Sequence, residues 1–473
     1  MITRDQISRI GLAAGPAFFI YVISIPVEGL TFPAKTVLGI TAWMAVWWVT
    51  EAIPIYATAL LPLVIFPAFS VVPLEKLATS YADEIIFLFL GGMILAAAVE
   101  RSGLHERIAL NVIRGFGTRP RNVIAGFMVT TGIISAWMSN TATTVLMLPI
   151  AASIVVLIKN DNERSRFGTC IMLCVAYSAS IGGMATLVGT PPNALFASLA
   201  KSLVNVDVSF VQWMLLGVPV SAISLAFAWW YMVNFGAKIG NEPIVEEKSV
   251  ILTKLRALGN FTRNEKMVAI VFAVTALLWI TRGIVWGKLV PMIDDSTIAI
   301  ACALALFALS AGKNQRVIDW TTATRIPWGV LLLIGGGLAL SSGFTATGLD
   351  KWLAEQFTNI GTTDLIIVLV IIVAFAIFSG EVMSNTAGAA LIIPIAASIA
   401  PVLNVSPITL MIPIALATSF SFILPSGTAP NAIVFGSGYV TIRQMARAGF
   451  PLDLFGVLIV TIITLLLVQT VFS

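Results

Sequence analysis

The sequence predicts an all-α polytopic membrane protein with an internal repeat, and three observations lead to this prediction. First, 58% of the 473 residues are hydrophobic and only 11% are charged, whereas soluble proteins carry about 25% charged residues. Second, the segment SNTATTVLMLPIAAS at 139–153 returns as SNTAGAALIIPIAAS at 384–398. Third, lysine and arginine residues are concentrated in alternate loops between apolar runs. The chain is long enough for about a dozen spans of roughly 20 residues each.

About 11 transmembrane helices are predicted from apolar runs. The runs lie at 10–29, 35–51, 54–72, 84–104, 168–200, 211–236, 266–287, 295–312, 327–347, 408–440 and 449–472. The first run lacks a small-residue cleavage site, so we interpret it as a retained span and not as a signal peptide. Residues 1–34 are therefore assigned to an N-terminal segment with the first span.

Two further apolar stretches, 123–158 and 364–400, are too long for one crossing, and each has the polar triplet SNT in its middle. Each is either a pair of ordinary spans with a tight turn or a re-entrant hairpin that enters and leaves by the same face. Irregular backbone at membrane depth is tolerated only where it lines a cavity or is buried in protein. We therefore predict two re-entrant hairpins.

The distribution of basic residues predicts the orientation. With eleven crossings and two hairpins, a cytoplasmic N-terminus places most of the 27 lysine and arginine residues in cytoplasmic loops, as the positive-inside rule expects. The basic residues left outside are Lys35, Lys76, Lys201, Arg282, Lys288 and Lys351. A single crossing at either long stretch would scramble this pattern. The C-terminus is predicted to lie outside.

Three landmarks recur in the same order in the two halves. A Gly-rich span, FLFLGGMILAAAVERSGL and then LLLIGGGLALSSGFTATGL, is followed by the SNT hairpin and by a break, GTPPNA at 189 and GTAPNA at 427. Five crossings in the first unit force the second unit to insert upside down. We assign repeat 1 to 35–236, a cytoplasmic linker to 237–265 and repeat 2 to 266–473. The broken spans are 168–200 and 408–440.

The repeated segments have the chemistry of an ion site. Serine and threonine supply hydroxyls, and asparagine supplies an amide donor and a carbonyl acceptor. A helix that begins at the triplet exposes unpaired N–H groups that favour anions, while the preceding arm ends in carbonyl groups that suit Na⁺. Proline and glycine break the neighbouring span and free further carbonyls. Interrupted helices at matching positions of an inverted repeat indicate a secondary-transport site.

Other classes of function find less support in the sequence. Small residues also let helices pack closely in lipid, but packing alone is a poor account of two motifs repeated together. The one histidine, His105, and three cysteines in apolar runs argue against metal or disulfide chemistry. We find no nucleophile–base pair or phosphate-binding loop in a plausible context, so no enzyme is predicted. A channel would share the hairpins and stays an alternative.

With WWVTEAIPI at 47–55, the twin SNT triplets and the two GTxPNA segments in view, the chain resembles the divalent anion/sodium symporter family over nearly its whole length. The resemblance implies a homodimer that works by an elevator-type movement and carries dicarboxylates, citrate or sulfate. We expect Na⁺-coupled transport of C4-type dicarboxylates such as succinate, fumarate or malate. Sodium-independent exchange and sulfate or citrate transport are the alternatives within the family.

The resemblance also implies site residues. The implied substrate contacts are Ser139, Asn140, Thr141, Thr190, Ser384, Asn385, Thr386 and Thr428. The implied first sodium site consists of Ser135, Ser139, Asn140 and Gly189. The second consists of Met383 (through its backbone carbonyl), Asn385 and Gly427.

The chain departs from the family pattern at two positions. Sodium-coupled members often carry threonine four residues before the second SNT serine, but this chain has Gly380 there, next to Ser379. The second break lacks the double proline of the first, because Ala429 precedes Pro430. The first departure removes a hydroxyl ligand that the family pattern places at the second sodium site.

Overall fold

The structure is a computed structural model that describes residues 4–237, 239–240, 247–286, 289–312, 315–359 and 364–472. Nearly all regular secondary structure in these residues is helical. The exception is a small antiparallel ribbon in which Ser310–Gly312 pairs with Gln315–Arg316. The predicted all-α fold class is confirmed.

The first half of the chain consists of helices that we number in order. They are α1 (Arg4–Ser24), α2 (Phe32–Thr50), α3 (Ile55–Thr58), α4 (Leu61–Ala68), α5 (Leu74–Ser80), α6 (Glu84–Ser102), α7 (Leu104–Phe116), α8 (Pro120–Ser135), α9 (Asn140–Val155), α10 (Asp161–Gly183), α11 (Pro191–Val204) and α12 (Phe210–Tyr231), which continues as a π-helix at Met232–Gly236.

The second half continues the numbering. It contains α13 (Glu247–Ala257), α14 (Arg263–Thr281) with a π-helical end at Arg282–Trp286, α15 (Asp295–Ala308), α16 (Trp320–Ala323), α17 (Trp328–Thr347), α18 (Leu349–Asn359), α19 (Leu365–Gly380), α20 (Asn385–Ile399) with a 3₁₀ turn at Ala400–Leu403, α21 (Ile408–Ala417), α22 (Ala429–Gly436), α23 (Ile442–Ile463) with a π-helical end at Thr464–Val468, and α24 (Gln469–Val471).

Seven helical segments of the described chain are long and apolar enough to cross a membrane. They are Asp5–Ser24, Leu74–Ser102, Phe210–Gly236, Arg263–Thr281, Trp328–Thr347, Asn385–Leu403 and Ile442–Val471. The apolar run at 54–72 differs from the single helix expected, because it is divided into α3 and α4, with Pro54 as the N-cap of α3 and Pro62 in the first turn of α4. The count of eleven crossings stays a prediction.

Each SNT stretch folds as two short helices joined by a turn. The arms α8 and α9 have 16 residues each, and α19 and α20 have 16 and 15. At 1.5 Å per residue an arm of 16 residues is about 24 Å long, which is less than the roughly 30 Å of a hydrocarbon core. The arm α20 is longer when its 3₁₀ turn is included, since Asn385–Leu403 has 19 residues. The turns occupy 136–139 and 381–384, so both triplets lie at hairpin tips.

The two GTxPN segments interrupt helices in both halves. The first helix, α10, ends at Gly183, and α11 begins at Pro191, while α21 ends at Ala417 and α22 begins at Ala429. Proline occupies the first turn of both α11 and α22, where its missing N–H is tolerated. Each interruption therefore leaves an irregular segment between two helix ends, at 184–190 and 418–428.

The two halves contact each other reciprocally. Within each half, the first hairpin arm packs on the first part of the broken helix, α8 on α10 and α19 on α21. Between halves, the second hairpin arm packs on the second part of the other broken helix, α9 on α22 and α20 on α11. The same kinds of element therefore meet in both halves. This packing brings the hairpin tips and the irregular segments of both halves together.

The Gly-rich helix of each half also ends alike in both halves. Gly103 ends α6 and Gly348 ends α17, with φ values of 77° and 72°. A positive φ is easy only for glycine, which explains the Ser-Gly-Leu and Thr-Gly-Leu endings of the repeated span. Part of the linker predicted at 237–265, at 238 and 241–246, lies outside the described residues, as does Lys288.

A buried ion pair joins α12, α14 and α15 at their ends. Arg282 Nη1 lies 2.9 Å from Asp295 Oδ2, which also accepts a hydrogen bond of 2.9 Å from the Phe210 N–H. The side chains of Arg282 and Asp295 are 17% and 6% exposed. This pair therefore ties three helices in a place that water reaches poorly.

Replacing Arg282 by alanine is expected to destabilise the protein. The change leaves the Asp295 carboxylate buried without its cation, and breaking a buried pair in this way costs about 3–5 kcal/mol. Thermal unfolding of the detergent-solubilised protein measures the effect. Arg164→Ala is the control, since its pair with Asp161 is exposed and such pairs contribute about 0–1 kcal/mol. Equal stability of both variants would contradict the assignment.

Candidate functional site

One cavity of about 1460 Å³ lies between the two halves of the molecule. Its lining includes all eight side chains expected to contact substrate, Ser139, Asn140, Thr141, Thr190, Ser384, Asn385, Thr386 and Thr428. Of the residues expected to hold sodium, Gly189, Met383 and Gly427 also line it. Ser135 is fully buried behind the first hairpin tip. The fold therefore brings together residues separated by more than half of the chain.

Four helix N-termini meet at this cavity. Their N-cap residues are Ser139 for α9, Thr190 for α11, Ser384 for α20 and Thr428 for α22. The first N–H groups of a helix lack intrahelical partners and carry partial positive charge. All four N-caps line the same cavity, and the segments contain no lysine or arginine. The free N–H groups come mainly from α9 and α20, because Pro191, Pro192 and Pro430 supply none at the starts of α11 and α22.

The two triplets differ in their surroundings. Ser139 caps α9 by accepting a hydrogen bond of 3.2 Å from the Ala142 N–H, and both Ser139 and Thr141 are exposed to the cavity. Ser384 makes no such cap, and Thr386 is only 6% exposed. The hydroxyls of the first triplet are therefore the more accessible pair.

The residues of the first expected cation site form an oxygen-rich cluster. Ser135 Oγ lies 2.7 Å from Asn140 Oδ1 and 2.7 Å from the Ala179 carbonyl oxygen. A side chain at Gly189 would approach the carbonyl oxygens of Ala136 and Gly183. The Ser135 hydroxyl has one proton, so it donates to one of its two neighbours at a time. Oxygen ligands of this kind suit a hard cation, and the residues fit Na⁺.

The second expected site has an unused acceptor. Asn385 Oδ1 is buried and has no hydrogen-bond partner among the described residues. Met383 is 8% exposed, and a Cβ on Gly427 would lie 2.9 Å from Glu381 Oε2. A buried acceptor without a partner is energetically unfavourable, and a cation would satisfy it. The chemistry of this donor set also fits Na⁺.

Sequence reasoning missed the role of the asparagine in each GTxPN segment. Asn193 Nδ2 donates to the carbonyl oxygens of Gly183 and Thr186, at 3.2 and 2.7 Å. Asn431 Nδ2 donates to those of Ser421 and Leu424, at 2.8 and 3.0 Å. Both asparagines are fully buried. The repeated spacing was the available signal, because the two contacts are equivalent in the two repeats.

Each irregular segment is also tied to its hairpin tip, by different chemistry. In repeat 1 the Thr186 hydroxyl donates to the Ala136 carbonyl oxygen at 2.5 Å. In repeat 2 the Glu381 carboxylate accepts from the backbone N–H groups of Ile423 and Leu424, at 2.9 and 2.8 Å. Glu381 therefore holds the backbone around the second site in place.

Asn193→Ala and Asn431→Ala are each expected to lower the free energy of unfolding by about 2 kcal/mol. Each change removes two hydrogen bonds, worth about 1 kcal/mol each, and leaves buried carbonyl oxygens unsatisfied. Thermal or denaturant unfolding in detergent checks this. Asn111→Ala is the matched control, because its single bond to the Arg107 carbonyl oxygen is exposed. A loss no greater than that of the control would refute the role.

Charged residues line the cavity far from the triplets. Arg101 Nη1 pairs with Asp319 Oδ2 at 2.7 Å and donates to the Thr322 hydroxyl at 2.9 Å. Hydrogen bonds from the Thr322 backbone and hydroxyl, together with Arg101, hold the pKa of Asp319 below its ordinary range. Glu51, Glu100 and Arg325 also line the cavity. The lining thus combines charged residues with the uncharged polar residues of the two triplets.

The chain is similar to known proteins over nearly its whole length. The profile of one family, described as the sodium:sulfate symporter transmembrane region, matches residues 8–473. The sodium-dependent dicarboxylate transporter SdcS of Staphylococcus saprophyticus is 40% identical, over 98% of this chain and 92% of that protein. SdcS of Staphylococcus aureus is 38% identical, over 96% of this chain and 90% of that protein.

A solved structure shares the fold. The crystal structure of the YdaH transporter of Alcanivorax borkumensis aligns with a TM-score of 0.56 and 14% sequence identity. The alignment covers 82% of this chain and 86% of that one. The family profile spans almost the entire chain, and the two relatives are similar over their full lengths. The chain therefore belongs to the divalent anion/sodium symporter family.

Proposed function

We propose that this integral membrane protein is a secondary transporter that moves C4-type dicarboxylates together with Na⁺. One observation supports this most strongly. Four helix N-termini and two oxygen-rich clusters surround a single cavity. A dicarboxylate carries two negative charges, and the N–H groups of the helix starts favour both of them.

Sodium coupling follows from the charge of the site. The hairpin and break segments contain no lysine or arginine, so a dianion there lacks a fixed counter-charge. Charges within a membrane are energetically expensive unless they are paired. Bound Na⁺ beside the N-termini offsets the charge of the substrate, which makes binding of each favour binding of the other. This reciprocity is the physical basis of coupled transport.

The names of the relatives favour dicarboxylates. Both staphylococcal proteins are described as sodium-dependent dicarboxylate transporters, whereas the description of the family profile names sulfate. The cavity is also larger than sulfate needs. We propose succinate, fumarate and malate as substrates, with citrate, sulfate and sodium-independent exchange as the alternatives to be tested.

The cavity suggests which side is open. Its mouth is lined by Ile7, Arg101 and Arg325, from segments that the positive-inside rule assigns to the cytoplasm. We propose that the structure is an inward-open state, with a cytoplasmic N-terminus in a prokaryotic plasma membrane. We further propose a homodimer in which the hairpins and broken helices move as the transport part of an elevator.

Labelled succinate uptake into proteoliposomes is the test. An inward Na⁺ gradient is expected to raise the initial uptake rate at least about tenfold over an equal choline gradient, which corresponds to about 1.4 kcal/mol. Equal uptake under both gradients that requires internal dicarboxylate would refute symport and establish exchange. Saturable sulfate uptake that succinate does not inhibit would show that the substrate is sulfate and not a dicarboxylate.

The same proteoliposomes distinguish a transporter from a channel. Succinate uptake that saturates with concentration, at the slow turnover of a carrier, would exclude a channel. Electrical recording from the reconstituted protein gives the complementary measurement. Single-channel currents under a succinate gradient would contradict the transporter proposal. We expect no single-channel current, because two Na⁺ ions balance the charge of one dicarboxylate dianion.

A further inference from the structure

The second sodium site contains a hydroxyl that the family pattern does not predict. Ser421, in the irregular segment between α21 and α22, is fully buried, and its Oγ has no hydrogen-bond partner among the described residues. A buried hydroxyl without a partner is unfavourable. A ligand or a bound ion beside the Ser421 hydroxyl would supply the partner that it lacks.

The hydroxyl points into the space next to Gly380. A Cβ built on Gly380 would collide with Ser421 Oγ, while Ser421 Cβ would lie farther away, at 3.7 Å. The same Cβ would lie 3.7 Å from Asn385 Oδ1, which is also buried without a partner among the described residues. Two unsatisfied oxygens thus face the place where a side chain at position 380 would stand.

Ser421 also lies against the remaining part of the expected site. A Cβ on Gly427 would lie 3.2 Å from Ser421 Cβ and 3.3 Å from the Ser421 carbonyl oxygen. Asn431 holds that carbonyl through a hydrogen bond of 2.8 Å. Ser421 therefore stands between Asn385 and Gly427, with its backbone fixed and its hydroxyl uncommitted.

The first repeat has the opposite arrangement. The position equivalent to Gly380 is Ser135, whose hydroxyl lies 2.7 Å from Asn140 Oδ1. The position equivalent to Ser421 is Gly183, and a Cβ there would lie 2.5 Å from the same Asn140 oxygen. One hydroxyl and one glycine therefore face the asparagine in each repeat. The hydroxyl comes from the hairpin in repeat 1 and from the broken helix in repeat 2.

We propose that the Ser421 hydroxyl is a ligand of the second sodium ion and replaces the hydroxyl that Gly380 cannot supply. This inference rests on the proposed sodium coupling. It restores a full set of oxygen donors at the second site, which Asn385, Met383 and Gly427 would otherwise form without a side-chain hydroxyl. It also means that the two sodium sites are alike in space although they differ in sequence.

The test measures Na⁺ binding directly. Thermal unfolding of the purified full chain in detergent is followed as NaCl replaces choline chloride at constant ionic strength. Ser421→Ala is expected to unfold at the wild-type temperature or above in choline, because it removes an unsatisfied hydroxyl. It is expected to need about tenfold more NaCl for half-maximal stabilisation, a change of about 1.4 kcal/mol.

A variant in which the hydroxyl is moved from position 421 to position 380 tests the ligand role more strictly. Gly380→Ser alone should disturb the site, since its Cβ would collide with Ser421 Oγ. The double change Gly380→Ser with Ser421→Gly removes that collision and returns a hydroxyl from the hairpin side. It is expected to restore the Na⁺ response that Ser421→Gly alone loses. Such rescue is a coupling between the two positions that a structural role would not produce.

Ser224→Ala is the matched control, since Ser224 on α12 is also buried with an unpartnered hydroxyl. It is expected to keep the wild-type Na⁺ response. A wild-type response in Ser421→Ala, or an equal shift in the control, would overturn the role of Ser421 while sodium coupling stands. Absence of any Na⁺ response in the wild-type protein would overturn both the ligand and the sodium coupling.

Discussion

Asn140→Ala is expected to abolish dicarboxylate uptake while the protein stays folded. Asn140 begins α9 at the tip of the first hairpin, and its Oδ1 lies 2.7 Å from Ser135 Oγ. Truncation removes an oxygen from the first cation cluster and an amide from the cavity floor at once. Since the bound ion and the substrate depend on each other, loss of one weakens the other. We expect uptake to fall by at least about 100-fold, or about 2.7 kcal/mol.

Asn385→Ala should have a comparable effect on uptake through the second site. Its Oδ1 has no hydrogen-bond partner to lose among the residues that the structure describes, so the change is not expected to reduce stability in the absence of Na⁺. Initial rates of labelled succinate uptake in proteoliposomes, with protein amount and thermal unfolding checked in parallel, measure both variants. Asn162→Ala, at an exposed position near the start of α10, serves as the control. Wild-type rates in the two triplet variants would refute the site.

Gly183→Ala is the second change with a large expected effect. An added Cβ would lie 2.5 Å from Asn140 Oδ1 and 3.2 Å from its Cγ and Nδ2, closer than atoms approach without strain. Asn140 can move away only by leaving Ser135. One methyl group is therefore expected to block the first sodium site and to reduce Na⁺-driven uptake by about 100-fold, or about 2.7 kcal/mol.

The matched control for this change is Gly115→Ala. Gly115 lies in α7, and a Cβ there would meet no atom within 4 Å. Alanine has the higher helix propensity, so this variant is expected to be neutral or slightly more stable. Normal Na⁺-driven uptake by Gly183→Ala would show that the space beside Asn140 is not a cation site.

Much of the architecture could be predicted from the sequence because its signals are local. Apolar runs, alternating basic loops and a recurring triplet predict membrane helices, orientation and an inverted repeat without knowledge of any contact. The serine and asparagine of each triplet are residue types that favour the start of a helix. The same local rules failed at 54–72, where hydropathy suggested one span. The chain there forms two short helices, α3 and α4, and Pro62 lies in the first turn of α4.

The site itself depends on contacts that no local pattern reports. Asn193 and Asn431 could be seen as repeated residues, but their bonds to the preceding irregular segments could not. Glu381 reaches the backbone of Ile423 and Leu424, more than forty residues later in the chain. Such contacts depend on how α8 and α19 pack on the broken helices, which hydrophobic periodicity does not encode.

The sequence by itself determined a polytopic helical protein with two SNT hairpins, two broken helices and a glycine where the second sodium site should have a hydroxyl. Only the tertiary structure shows which side chain lies in the space beside that glycine. The space above Gly380 is filled by the hydroxyl of Ser421, which arrives from another element. A cation responds to the positions of oxygen atoms and not to their order in the chain. A ligand can therefore be lost from a sequence motif and kept in the folded site.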